Sequence, residues 1–164
     1  TLATSSAASD VYKRQLSNVA LTDVLFLCTG NYFRSRFSEA LLRHLCLGNP
    51  ELTVRSAGLQ VDPASGNVGP MAKEALEALR ERGIELDPGI QPMPRQVEER
   101  DLEQADLIIA VDAAAHRPMV RSGFPAWENR IRFWGVKDLG EEAAGDPIVQ
   151  LEQQVKQLHD ELSR

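Results

Sequence analysis

An apolar run, Val24-Leu25-Phe26-Leu27, ends on Cys28 and gives way within a few residues to a helical pattern. Four successive apolar side chains without alternation suit a strand buried on both faces. Beyond it Phe37, Leu41 and Leu45 recur every four residues, which predicts a helix over 34–47 with one apolar face. Between the two lies Cys28-Thr29-Gly30-Asn31-Tyr32-Phe33-Arg34-Ser35, a thiol and a guanidinium separated by five residues and followed by a hydroxyl. A strand that turns through glycine into a helix start gathers free backbone N–H groups and the positive end of a helix dipole. Such a cup suits a phosphate or a similar oxyanion. The same field favours a thiolate, so Cys28 is the candidate nucleophile, and the loop of residues 29–35, through its amides and the Arg34 guanidinium, is the candidate oxyanion site.

The rest of the chain repeats the alternation of strand and helix, which argues for an α/β layer fold with a mostly parallel sheet. Leu52-Thr53-Val54-Arg55-Ser56 reads as a second strand, after a Gly48-Asn49-Pro50 break. A helix is expected over 70–82, with Ala72, Ala75, Leu76 and Leu79 inward and Gly83 as its stop. A proline-rich connection, 87–94, leads to a short helix near 97–103, whose acidic residues read as a solvated face. Leu107 to Val111 is a third strand, Asp112 a cap for a helix through 113–120, and Ile131 to Trp134 a fourth strand. Asp146-Pro147 opens a last helix bearing Ile148, Leu151, Val155, Leu158 and Leu162 at spacings of three and four.

Length and charge narrow the classes. In 164 residues with 43% hydrophobic content there is enough apolar mass for one core, and a net charge of −6 argues against a general nucleic-acid binder. No apolar run approaches membrane-spanning length. Two cysteines make no disulfide framework, and a reactive thiol needs reducing surroundings, so a cytoplasmic protein is expected. His44, His116 and His159 show no ligand spacing with the cysteines, and neither metal nor cofactor is expected. Residues 1–20 are set aside. Their small, polar start lacks the charge pattern of a signal peptide, and Asp10-Val11-Tyr12-Lys13-Arg14-Gln15 resembles a translated transposase adapter. They read as a disordered leader or a sequencing or cloning scar, with 21–164 as a single domain.

The Cys-x5-Arg-Ser spacing near the N-terminus, with Gly30-Asn31 inside the loop, resembles the signature of the low-molecular-weight protein tyrosine phosphatases and of the arsenate reductases that share their fold. Ser56-Ala57-Gly58 and Ala105-Asp106-Leu107-Ile108 resemble further family segments, so the likeness extends over about 23–162. It implies a three-layer sandwich with a central four-stranded parallel sheet, strand one in the middle and the loop at a topological switch point. It also implies hydrolysis of phosphomonoesters, protein phosphotyrosine above all, through a phosphocysteine.

That chemistry needs a nucleophile, a clamp for the equatorial oxygens and an acid for the leaving group. Cys28 is the first and Arg34 the second, since only a planar fork gives a bidentate fit. Ser35 reads either as a hydroxyl donor to the Cys28 sulfur or as a plain first-turn serine. Asn31 reads as a loop brace or an ordinary left-handed turn residue. For the acid, Asp138 is preferred to Asp146, because Asp146-Pro147 is already explained as a helix cap. The sequence departs from the family here: Asp138-Leu139-Gly140 has glycine where relatives carry the tyrosine that walls the phosphotyrosine slot. Tyr32 or Phe33 is a candidate replacement wall, though either could instead pack on neighbouring helices. Arg36 reads as an addition to the electropositive rim or an exposed helical arginine, and Trp127 and Trp134 as packing residues. Two other functions fit the same cup. One is an arsenate reductase recycled by an external thiol, since Val111-Asp112-Ala113 offers no resolving cysteine and Cys46 reads as a small apolar helix residue. The other is a phospho-binding module without an effective acid.

Overall fold

In the computed structural model, which describes residues 21–141 and 145–164, four parallel strands make one sheet in the order β2-β1-β3-β4. The elements run β1 (Thr22–Cys28), α1 (Arg34–Leu45), β2 (Leu52–Gly58), α2 (Lys73–Glu81), α3 (Glu99–Gln104), β3 (Leu107–Ala110), α4 (Ala113–Gly123), β4 (Ile131–Phe133) and α5 (Pro147–Leu162). The chain goes to one side of β1 to place β2, then crosses to the other side to place β3. The loops leaving β1 and β3 therefore diverge, and a crevice opens at the C-terminal ends of these strands. The segment 1–20, read above as leader or scar, lies outside the described residues.

Strand β1 is buried on both faces, and its alternation divides the core. Val24, Phe26 and Cys28 pack with α1, α2 and α5 on one side, while Leu25 and Leu27 pack with α3 and α4 on the other. This gives the expected three layers, and the alternation delivers the Cys28 side chain to the α1 side. Trp134 tilts against Phe26 in the first layer and Trp127 is buried in the second, so both tryptophans are packing residues.

Several element ends differ from the periodicity. Helix α2 begins at Lys73 rather than 70, because Ala72 is still extended and its N–H donates to the Tyr32 carbonyl. Helix α3 begins at Glu99, where Glu98 and Asp101 form a reciprocal capping box. Glu98, Glu99 and Glu103 are exposed, as a solvated face requires, and Asp101 is the exception. Asp101 is buried and takes Arg55 and Arg95 as ion-pair partners. Burial pushes its carboxyl up, but the Arg95 and Glu98 hydrogen bonds and both arginine charges outweigh this and hold it below the usual carboxylate range.

Candidate active site

The turn from β1 into α1 is built around Asn31, the one non-glycine with positive φ (51°) among the described residues. Asparagine tolerates that region, and its amide is fully used there. Nδ2 donates to Ser35 Oγ at 3.0 Å and to Ser56 Oγ at 2.9 Å, and Oδ1 accepts from the Arg95 N–H at 3.1 Å. Ser56 Oγ–H in turn donates a hydrogen bond to Glu39 Oε1 at 2.6 Å. Helix α1 starts at Arg34 with no side-chain cap, so its first-turn amides are left to face the loop.

Cys28 Sγ lies 3.0 Å from Ser35 Oγ. Asn31 Nδ2 already donates to that hydroxyl, and a thiolate at Cys28 could only accept from it. Ser35 is therefore more than a first-turn serine. Arg34 is buried, with Nη1 donating to the Val136 carbonyl at 3.0 Å and to Asp112 Oδ2 at 3.3 Å, while Nη2 stands 3.6 Å from Asp138 Oδ2. Asp112 caps α4 through Ala115 N–H and also holds Lys137 Nζ at 2.9 Å. Burial pushes the Asp112 carboxyl up, but the Lys137 bond, the Ala115 N–H and the charges of Lys137 and Arg34 together keep it below its ordinary value. The Asp112 carboxylate thus holds two cations, Arg34 and Lys137, at the floor of the site.

Above this floor is a cavity of about 880 Å³, lined by Cys28, Thr29, Gly30, Tyr32, Phe33, Arg34 and Asp138 among others. Asn31 and Ser35 are buried behind it. Asp146 is not among its lining residues; its side chain accepts from Ile148 N–H and caps α5. Tyr32 forms part of the wall, with its hydroxyl donating to the Val68 carbonyl at 2.7 Å, and Phe33 sits in the core below. Leu139 and Met93, both largely exposed, add apolar surface to the wall.

Arg36 corrects both sequence readings of it. It is 4% exposed, donates to the Pro92 carbonyl and pairs with Glu39, so it neither extends the rim nor faces solvent. Burial lowers its pKa. Three contributors escaped the sequence reading. Glu39 sits behind Ser56, Lys137 stands beside Asp112, and His116 meets Thr29 at 3.0 Å. No local spacing marks His116; only its position four residues after the capping Asp112 hints that it points back toward the end of β3. Cys46 is a buried free thiol in the core. No helix among the described residues is long and apolar enough to cross a membrane.

A model of the family described as low molecular weight phosphotyrosine protein phosphatase matches residues 23–164. The protein-arginine-phosphatase of Bacillus subtilis (strain 168) is 32% identical over 110 residues, 66% of this chain and 67% of that protein. The low molecular weight protein-tyrosine-phosphatase YfkJ of the same strain is 37% identical over 97 residues, 57% of this chain and 58% of that relative. Among solved structures, a YwlE mutant from Bacillus subtilis superposes with a TM-score of 0.69 at 26% identity, covering 87% of this chain and 99% of that one.

Proposed function

The chain belongs to the low molecular weight phosphotyrosine protein phosphatase family and is a cysteine-dependent phosphatase, and from that premise we propose that it hydrolyses protein phosphotyrosine through a phosphocysteine on Cys28, with Arg34 as oxyanion clamp and Asp138 as general acid. Residues 21–164 form the working unit, which acts in the cytoplasm, where the nucleophilic thiol stays reduced.

The observation that carries this reading is the 3.0 Å contact of Cys28 Sγ with Ser35 Oγ, on the floor of a cavity that also receives Arg34 and Asp138. In the first step the sulfur attacks phosphorus as the bond to the leaving oxygen breaks, and the Asp138 carboxyl gives that oxygen its proton. The equatorial oxygens lie against the loop amides and the Arg34 guanidinium as charge redistributes. In the second step Asp138, now a carboxylate, takes a proton from water as the water oxygen attacks phosphorus. The sulfur leaves as a thiolate that the Ser35 hydroxyl stabilises. Arg34 has to exchange part of its hold on Asp112 for the substrate, and Lys137 then balances the Asp112 charge left behind. The apolar flank of Tyr32, Leu139 and Met93 suits an aromatic phosphoester.

The test is hydrolysis of p-nitrophenyl phosphate, phosphotyrosine peptides and phosphoarginine peptides. Cys28→Ser and Arg34→Lys should abolish turnover. Asp138→Asn should slow alkyl and phenyl phosphates by roughly 10²–10⁴ and p-nitrophenyl phosphate far less. The same signature from Asp146→Asn but not Asp138→Asn would transfer the acid role. Turnover of phosphoarginine alone would overturn the tyrosine assignment.

A further inference from the structure

The phosphate loop is braced from a direction that the steps above do not use. Thr29, directly after the nucleophile, lines the cavity, and its Oγ1 lies 3.0 Å from His116 Nε2. His116 is fully buried in the first turns of α4, and its Nδ1 accepts the Asp112 backbone N–H at 3.2 Å. A backbone N–H can only donate, so Nδ1 carries no proton. Burial, reinforced by the Arg34 charge, pushes the imidazole down to about 4, and the ring is neutral at physiological pH. Its single proton is therefore on Nε2, and Nε2–H donates to Thr29 Oγ1.

The direction of that bond has a consequence for ligand binding. Among the described residues His116 is the only hydrogen-bond partner of Thr29 Oγ1. With one lone pair held by the ring, the hydroxyl hydrogen is turned away from His116 and left free to meet an acceptor in the cavity. We propose that the Thr29 side chain is an additional phosphate ligand, donating its O–H to a non-bridging phosphoryl oxygen, and that His116 is the positioning residue that fixes this hydroxyl. Asp112 ties the two sides of the cup together. Its carboxylate holds Arg34 while its backbone N–H sets the tautomer of His116. The proposal rests on the phosphatase reading of this cavity.

Orthophosphate binding to the full chain, measured by titration calorimetry, tests it without relying on turnover. Thr29→Val keeps the shape and removes the donor, and should weaken orthophosphate roughly tenfold, the size of one hydrogen bond to a charged group. Thr29→Ser should bind within about twofold of the parent. In p-nitrophenyl phosphate hydrolysis the valine variant should show a raised KM that the serine variant restores. Nitrogen-15 spectra of the imidazole should show a protonated Nε2 and a bare Nδ1 at pH 7. His116→Phe should weaken phosphate in the parent and add nothing in the Thr29→Val background. If the phenylalanine variant fails to fold, the threonine pair and the spectra still decide. Equal phosphate affinity in parent and Thr29→Val, or a proton on Nδ1, would overturn the proposal and leave the phosphatase reading standing if Cys28-dependent turnover persists. A parent that binds phosphate with the expected Thr29 pattern but turns over no phosphoester would sink the enzyme reading and keep the ligand. A parent that binds no orthophosphate sinks the ligand.

Discussion

Gly58 ends β2 directly beneath the phosphate loop, and replacing it with alanine should damage catalysis more than stability. A Cβ built there meets Val61 Cγ2 at 2.5 Å, the Thr29 carbonyl oxygen at 2.8 Å and the Asn31 nitrogen at 3.1 Å. The valine can rotate; the other two atoms are backbone of the loop. Ordinary contact begins near 3.4 Å, so the Thr29 carbonyl must recede by about 0.6 Å. It cannot do so freely, because the Cys28 and Thr29 carbonyls accept from Leu59 N–H and Gln60 N–H, which follow Gly58 itself. The strain must therefore turn the peptides whose amides line the cup. Overpacking of this kind costs about 1–3 kcal/mol of stability, and a misplacement approaching 1 Å at a reacting centre costs up to ~10² in rate. We expect kcat/KM for p-nitrophenyl phosphate to fall roughly 10- to 100-fold, while the urea midpoint, followed by tryptophan fluorescence, drops by an amount matching about 1–3 kcal/mol. Gly123→Ala, where nothing lies within 4 Å of the new Cβ, is the control and should leave kcat/KM unchanged. A Gly58→Ala enzyme with parental kcat/KM and midpoint would refute the reasoning.

Two further outcomes follow from the same geometry. Asn31→Ala removes three side-chain hydrogen bonds and leaves alanine at φ 51°, so it should cost about 2–4 kcal/mol and nearly all turnover; Asn31→Gly, which tolerates that φ, should recover part of the stability and little of the activity. His116, neutral in the fold and held near 4, binds its proton more readily in the unfolded chain, whose ordinary value is 6.5. Stability should consequently be full above pH 6.5 and decline as pH falls toward 4. The loss between pH 7.5 and 5 is about 2 kcal/mol. Urea unfolding across that range checks it, and the slope should be absent in His116→Leu.

Legibility in the sequence followed the range of the interaction. The run ending on Cys28 and the four-residue spacing of Phe37, Leu41 and Leu45 report backbone preferences and burial over a dozen residues. That is why the strand–turn–helix, the layer class and the parallel sheet could be read directly. Asp146-Pro147 was legible for the same reason, since a cap bonds to an amide two residues on. Arg36 was misread because an arginine in a first helical turn is ordinarily solvated; only the packing of the 91–94 segment over α1 buries it against Glu39 and the Pro92 carbonyl. Asp101 was misread likewise, since its arginines come from β2 and from the segment before α3.

The thiol, the guanidinium and the loop that carries them were determined by eight consecutive residues, because strand, turn and helix start are local structures that bring their own amides to one point. The hydrogen bond from His116 to Thr29 and the grip of Asp112 on Arg34 link residues 87 and 78 positions apart. Those were decided only when β3 came to lie beside β1, because a side chain far along the chain acquires its partner from strand order and register, which no short-range pattern encodes.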